Sequence, residues 1–323
     1  MKNINKIKYV YNFLAMAIMA LLLLPTAQAQ IAFRSAASAT ALAPQFRSAN
    51  SATLTAVAFR AASSGFLVGT GTLTVARPAG VALNDVLILA VAVRPIAATI
   101  TPVDAGWTLI RRMDNGAANA NSLAIYRKTI INLGAEPANY TFTIGGGATH
   151  ATGGIQAFSG ADNTNPVDVE NGQNTAVAAN HTTPTITTTV ANTFVLSTYS
   201  YASAGAWAPV TAGQTERFDI RSPAAANDLG QTTSGTTRVQ AVRALVAAQT
   251  SATSGAANDV GNTHILALRP SLRIPNPAGV VANDVLIASI AVQPSTATIT
   301  PPAGWTLIRR ENNANATSNS AAV

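Results

Sequence analysis

The stretch Pro78–Arg112, PAGVALNDVLILAVAVRPIAATITPVDAGWTLIRR, defines a repeated unit, because the chain contains it twice. It returns as Pro277–Arg310, PAGVVANDVLIASIAVQPSTATITPPAGWTLIRR. The offset is 199 residues at the first proline and 198 at Trp107 and Trp305, so one residue is lost between Ile100 and Trp107. A match of this length, with turns and strands in the same order, indicates duplication of a structural unit.

Within this stretch, Val86–Val93 is an uninterrupted run of apolar, largely β-branched residues that follows an Asn-Asp turn. Such a run predicts a central strand that is covered on both faces. Trp107 and Leu109 share one face of the next strand, so we expect Trp107 and its copy Trp305 to pack in the core rather than to stack on a sugar.

Outward from this stretch, residues 57–270 contain further short segments with period-two alternation, bounded by Gly, Pro, Asn and Asp. Many short strands without alternating helices predict an all-β fold, an antiparallel β-sandwich with a jelly-roll-like arrangement. Within the strand candidate Val239–Gln249, residues Val239–Ala248 could instead form a short helix, since they lack strict alternation. The predicted strands are Val57–Ser63, Thr72–Ala76, Val86–Val93, Trp107–Arg112, Ser122–Ile130, Asn139–Ile144, Gly153–Ser159, Thr185–Val190, Asn192–Tyr201, Arg217–Arg221, His264–Arg269 and Val239–Gln249.

Residues 271–323 form a partial second copy of the 57–270 module. At the offset of 198, the last five residues fall on Asn121–Ile125, in the middle of a predicted strand. This pattern favours a fragment of a longer array of modules. The alternative is a half-module that accepts strands from another chain.

Residues 1–29 have the pattern of a secretory signal peptide. Three lysines precede an apolar core over Phe13–Leu24, and Ala27-Gln28-Ala29 provides small residues for cleavage. The apolar run is shorter than the roughly 20 residues that span a bilayer. We therefore expect an exported protein, extracellular or at the cell surface, without a transmembrane segment in the mature chain.

The composition limits the kinds of partner and chemistry. The formal charge of +7 falls to about +4 once the three lysines of the leader are removed, and the arginines are scattered. A nucleic-acid-binding surface would cluster its cations, so nucleic acid is not an expected partner. The chain has no cysteine, which excludes disulfides and thiolate chemistry.

Residues 30–56 form a low-complexity leader with a repeat of thirteen residues. Phe33-Arg34, Phe46-Arg47 and Phe59-Arg60 recur at this spacing, and each precedes Ser or Ala residues. The copy at Phe59 begins the module, so the two earlier copies are duplicated leader segments. They are expected to be a flexible linker or to pair as an edge, and the alternative is a short interaction stalk.

One segment has the residue types of a calcium-binding loop. Between Ser159 and Glu170 the chain offers five side-chain oxygen ligands of the kind that calcium prefers. The spacing differs from that of an EF-hand, and Asn or Asp residues beside Pro also form ordinary turns. The five residues are Asp162, Asn163, Asn165, Asp168 and Glu170.

Other candidate sites are less specific. Tyr199, Tyr201 and Trp207 are the aromatic residues that we expect to contact a glycan if the protein binds one. Lys128, the only lysine after the leader, is a solvated cation or the donor of an internal Lys–Asn amide crosslink. The histidines show no metal-binding spacing, and the chain has no GxSxG elbow and no evident carboxylate pair, so we assign no catalytic residue and no cofactor besides calcium.

The motifs Ala58-Phe59-Arg60-Ala61-Ala62, Asn84-Asp85-Val86-Leu87, Ala105-Gly106-Trp107-Thr108-Leu109-Ile110 and Phe158-Ser159-Gly160 together carry a family resemblance. The chain resembles a module of large exported or surface-attached bacterial repeat proteins, which are adhesin-like and mostly uncharacterised. This resemblance carries no catalytic residue over to the chain. The sequence as a whole favours a non-enzymatic structural or adhesive element at the cell surface, with cell-surface glycans or other repeat proteins as partners. The alternatives are a lectin-like carbohydrate-binding module and, less favoured, a glycan-processing enzyme.

Overall fold

The structure is a computed structural model, and it describes residues 49, 51, 53–116, 120–223, 231–254, 258–274, 276–292, 295, 299, 301, 303–312 and 319–323. The predicted signal peptide and the leader up to residue 48 lie outside these residues. Residues 51–275 form one compact unit, and the described residues from 276 onwards belong to a second unit. In the part of the chain that the structure describes, no helix has the length and hydrophobicity of a membrane span.

The first half of the 51–275 unit is a β-sandwich of a five-stranded and a three-stranded sheet. The five-stranded sheet has the order β2-β9-β4-β7-β6 and the three-stranded sheet the order β3-β8-β5, with antiparallel pairing throughout. Its strands are β2 (Ala58–Val68), β3 (Gly71–Ala76), β4 (Val86–Arg94), β5 (Thr99–Pro102), β6 (Thr108–Asp114), β7 (Ser122–Thr129), β8 (Asn139–Gly145) and β9 (His150–Ser159), with a 3₁₀ turn at Leu133–Ala135.

The second half of the unit is another β-sandwich. Its five-stranded sheet has the order β10-β19-β13-β16-β15, and its three-stranded sheet the order β11-β18-β14, beside a short β12-β17 pair. The strands are β10 (Val167–Ala178), β11 (Asn180–Thr182), β12 (Ile186–Thr187), β13 (Thr193–Tyr201), β14 (Ala206–Pro209), β15 (Thr215–Arg221), β16 (Thr232–Gln240), β17 (Leu245–Val246), β18 (Thr250–Ser254) and β19 (Asp259–Leu268). The unit is closed by β1 (Thr53–Thr55), which pairs antiparallel with β20 (Ser271–Arg273).

The two sandwiches have the same strand order. If the β12-β17 pair is set aside, both contain eight strands, and the order along the chain is 1-8-3-6-5 in the large sheet and 2-7-4 in the small sheet. The sequence analysis treated residues 57–270 as one sandwich, whereas the structure divides them into two equivalent ones. The all-β class and the antiparallel sandwich are confirmed; the jelly-roll-like detail stays a prediction.

Strand β4 is the centre of the first large sheet and is buried along its whole length. Leu87, Leu89 and Val91 face the small sheet of the same sandwich, whereas Val86 and Ile88 face the second sandwich. Each of these side chains contributes about 1.5–3 kcal/mol by leaving water. The prediction of a central strand covered on both faces is confirmed.

The predicted strands differ from the observed ones mainly in the second sandwich. The segment predicted as a strand or helix over Val239–Gln249 contains the end of β16, a turn and the two residues of β17. The helix alternative is therefore wrong. Strands β10, β16 and β18 were missed, because their Asn, Ser and Thr residues resemble those of turns.

The second unit contains a small sheet whose pairing repeats that of the first sandwich. Strands β21 (Ile290–Val292), β22 (Arg310–Asn312) and β23 (Ser320–Ala322) have the order β21-β23-β22. Each residue pair has its counterpart in β4, β7 and β6 at the sequence offset, such as Val292–Ser320 for Val93–Ser122. The sequence copy thus keeps the register of the original.

Candidate functional site

Buried polar and charged groups lie between the two sandwiches, where the large sheets face each other. At one end of this interface lies an apolar cluster that includes Val86 and Phe158 of the first sandwich and Phe194 and Phe218 of the second. The Phe218 ring occupies the space beside Gly154, where an added Cβ atom would lie 2.2 Å from a ring carbon. The absence of a side chain at Gly154 therefore lets the sheets approach.

The other end of the interface is a buried hydrogen-bond network. Asn121 donates from Nδ2 to Ser200 Oγ at 3.0 Å, and Asn262 donates to the Asn121 carbonyl at 3.0 Å. Asn115 donates to the Gly261 carbonyl at 2.8 Å. Because a buried amide that loses its partner is costly, this network fixes the position of one sandwich on the other. The sequence analysis missed these residues, which carry no motif.

An ion-pair cluster also bridges the sandwiches. Arg111 of β6 donates from Nε and Nη2 to the two oxygens of Glu170 on β10, at 2.8 and 2.9 Å. The Nε2 atom of His264 on β19 lies 2.9 Å from Glu170 Oε2. Burial alone would raise the pKa of Glu170, but the hydrogen bonds from His264 and Arg111 outweigh it and lower that pKa to about 2. Glu170 is thus an ionised acceptor at neutral pH.

His264 takes part in this cluster as a neutral ring. Its burial lowers its pKa, and this effect outweighs the opposite influence of Glu170. An ionised carboxylate can only accept, so the neutral ring must carry its proton on Nε2. The arrangement orients both groups and binds the sheets together.

A second charged cluster lies inside the first sandwich. The Lys128 ammonium contacts Glu136 Oε2 at 2.9 Å and donates to the Ala105 carbonyl at 2.8 Å. Tyr140 donates to the same Glu136 oxygen at 2.9 Å, and burial together with this bond raises the pKa of Tyr140. Trp107 packs edge-on against the Tyr140 ring at 5.3 Å. Lys128 is therefore a buried, ion-paired residue rather than a solvated one. Trp107 packs against the core as predicted, whereas its copy Trp305 is 40% exposed, so the prediction of a core position is wrong for Trp305.

The residues of the predicted calcium loop have separate partners. Asp162 accepts from the backbone amides of Thr164 and Asn165 at 2.8 and 3.0 Å. The Asn163 side chain bonds to that of Asn84. Asn165 is exposed. This part of the loop is an Asx turn.

The other two residues lie on strand β10 and are ion-paired. Asp168 accepts from Arg269 Nη2 at 3.1 Å and from the Thr189 amide at 2.7 Å, whereas Glu170 is paired with Arg111. The five oxygen ligands therefore do not converge. Across the described ranges, no three His, Asp or Glu side chains are grouped so that they could hold a metal ion.

The predicted glycan-contact residues do lie together, but inside the second sandwich. Tyr199, Tyr201 and Trp207 form one buried cluster, in which the Tyr201 and Trp207 rings meet edge-on at 5.1 Å. His181 packs on Trp207 at 5.3 Å, and burial lowers the pKa of His181 to about 4. Stacking on a sugar requires a ring face in solvent, whereas Trp207 is only 5% exposed. The cluster forms part of the core.

Comparison with known proteins gives no match: no family model fits the chain, and neither a curated protein nor a solved structure is significantly similar to it.

Proposed function

We propose that this chain is an exported, non-enzymatic β-sandwich protein that acts as a structural or adhesive element at the bacterial cell surface. The observation that carries the proposal is the interface between the two sandwiches, which combines an apolar cluster, a buried amide network and an ion-pair cluster. Such an interface suits a rigid element that keeps its shape outside the cell. Other repeat proteins of the surface, or cell-surface glycans, are the proposed partners.

The state of the buried carboxylates favours a structural role over acid–base catalysis. Glu170 has a pKa of about 2, so it is a poor proton donor at neutral pH. Glu136 is engaged by the Lys128 ammonium and the Tyr140 hydroxyl. Both carboxylates thus join side chains of different strands.

Whether the two sandwiches unfold together across their interface can be measured with tryptophan reporters, one in each sandwich. The mature chain from Gln30 would carry Trp305→Phe together with either Trp207→Phe or Trp107→Phe, which leaves Trp107 or Trp207 as the only reporter. We expect the two urea unfolding curves to coincide, because the sandwiches share one interface. Two separate transitions would show that the sandwiches are independent and would contradict a rigid element.

Export can be tested independently of rigidity. Residues 1–35 fused to an alkaline phosphatase that is active only outside the cytoplasm should give activity, and the mature fusion should begin at Gln30. Replacing Lys2, Lys6 and Lys8 with Glu should reduce this activity. Adhesion is then measured with cells that display the chain on their surface, and the chain without residues 1–29 serves as the control.

A further inference from the structure

One face of the small sheet in the second unit corresponds to the face of the first sandwich that meets the second sandwich. Residues that lie opposite one another in its three strands form a central row, which consists of Ala291, Ala321 and Glu311. Their counterparts also lie opposite one another, and all belong to the apolar cluster between the two sandwiches: Ala92, Leu123 and Met113. The copy thus repeats the position of an interface.

In the second unit this face is exposed to solvent. Val285 and Ile287 are 86% and 72% exposed, whereas their counterparts Val86 and Ile88 are buried in the interface. Ile308, which precedes β22, is also 72% exposed. Along β23 the exposure alternates, with the residue of the central row exposed and its two neighbours buried. Branched apolar side chains gathered on one exposed face are typical of an interaction surface.

In the first sandwich the corresponding face is covered by strand β10. Arg111 donates to both carboxylate oxygens of Glu170 on that strand. Met113 packs on the same strand, and its sulfur lies 2.5 Å from the position of a Cβ atom added at Gly172. A cation and an apolar side chain two residues apart therefore fit a facing sheet that carries a carboxylate beside a glycine.

The copy keeps the cation of this pair but replaces the apolar side chain with a carboxylate. Arg309 stands at the position of Arg111, and Glu311 at that of Met113. The two side chains are 76% and 64% exposed and form an ion pair with each other. A sheet like that of the second sandwich would bring the counterpart of Glu170 next to Glu311, and like charges placed together at an interface are unfavourable. The face carries both charges itself and is complementary to itself.

We propose that this face binds the same face of a second copy of the chain and forms a two-fold symmetric dimer. A two-fold interface joins the same patch of both protomers, so Arg309 of each protomer can pair with Glu311 of the other. An exposed ion pair contributes little, and its exchange between protomers leaves the removal of Val285, Ile287 and Ile308 from water as the main driving force. The inference does not depend on the proposed surface role, because it concerns association of the chain with itself.

Sedimentation velocity of the mature chain from Gln30, over a series of micromolar concentrations, tests the dimer. We expect a reversible equilibrium between monomer and dimer. Ile287→Asp should raise the dissociation constant at least on the order of tenfold, because the contact would bury a carboxylate in an apolar surrounding. Val239→Asp is the matched control: this side chain is 64% exposed in the 51–275 unit, and its replacement should leave the constant unchanged.

Exchange of the two charges tests whether the occupant is a second copy. Arg309→Glu and Glu311→Arg should each raise the dissociation constant on the order of tenfold, because like charges then face each other. The double variant should dimerise like the wild type, since its face is complementary to itself again. An equimolar mixture of the two single variants should form heterodimers. Far-UV circular dichroism checks that every variant is folded.

Three outcomes would overturn the proposal. In the first, the wild type stays monomeric over the whole series. In the second, Ile287→Asp dimerises like the wild type, which would place the contact on another surface. In the third, the single charge variants are weakened but neither their mixture nor the double variant recovers, which would mean that Arg309 binds a carboxylate other than Glu311, as a sheet of the second-sandwich type would supply. Dimers that are weakened by each single exchange and regained in the mixture and the double variant support the proposal.

Discussion

At the scale of the residue, the type of Glu170 predicts that it binds a positive charge, but only the fold shows which group supplies that charge. Its carboxylate needs positive charge, and the sequence analysis considered it a candidate calcium ligand, with an ordinary turn as the other reading, because Asp and Asn residues precede it. The charge comes instead from Arg111, which lies 59 positions earlier on the other sandwich, and the further hydrogen bond comes from His264. Proximity along the chain could not indicate partners that the sheets bring together.

Acid should weaken the fold through Glu170. Its pKa is about 2 in the folded chain and 4.5 ordinarily, so its stabilising effect is present above pH 4.5 and is lost as the pH falls towards 2. The loss is at most about 3 kcal/mol, and less where water screens the pair. Free energies of unfolding in urea, measured from pH 7 to pH 2.5, should therefore fall more steeply for the wild type than for Glu170→Gln.

The control for this measurement is Glu216→Gln. Burial and the nearby Asp219 raise the pKa of Glu216, so its ionisation does not stabilise the fold and its replacement should not lower stability at pH 7. Parallel pH profiles of the wild type and Glu170→Gln between pH 4.5 and 2.5 would contradict the assigned role of the ion pair.

At the scale of the element, strands β4 and β16 show how far the sequence predicts this fold. The apolar run of β4 identifies a strand buried on both faces, and the structure confirms it. Strand β16 has the sequence TTSGTTRVQ and is nearly as buried, but its hydroxyl groups resemble those of a loop. Thr232 and Thr233 become compatible with the interior only because partners on other strands accept or share their hydrogen bonds. Because these partners lie on other strands, a local sequence pattern cannot predict them.

The central position of β4 predicts a large effect of shortening one of its side chains. Leu89 is fully buried between the sheets of the first sandwich, so Leu89→Ala should destabilise the chain by about 2–5 kcal/mol. The control is Leu83→Ala in the preceding turn, where the side chain is 53% exposed and the change should cost about 0.5 kcal/mol or less. Urea unfolding monitored by Trp107 fluorescence measures both. Equal midpoints for the two variants would contradict the position of β4 in the core.

At the scale of the whole molecule, the duplication that the sequence displays is not the only one in the fold. The offset of 199 residues relates two nearly identical segments, whereas the two sandwiches of the 51–275 unit share a strand order without an evident sequence match. Their facing sheets complement each other: Phe218 of the second sandwich fills the space that Gly154 of the first leaves open.

The same contact provides a test of how far the two sandwiches act as one body. In Gly154→Ala the new methyl group would lie 2.2 Å from the Phe218 ring, so the facing sheets must separate or the ring must move. We expect a loss of about 1–3 kcal/mol, as for other overpacked interiors, and unfolding curves from Trp107 and Trp207 that no longer coincide. Gly116→Ala is the matched control, because nothing lies within 4 Å of an added Cβ atom there. Phe218→Ala alone should cost about 3–5 kcal/mol, and the double variant should lose less than the sum of the two single losses, since the removed ring makes room for the methyl group. If Gly154→Ala unfolds like Gly116→Ala, with coincident curves, the close approach of the sheets at Gly154 does not hold the sandwiches together.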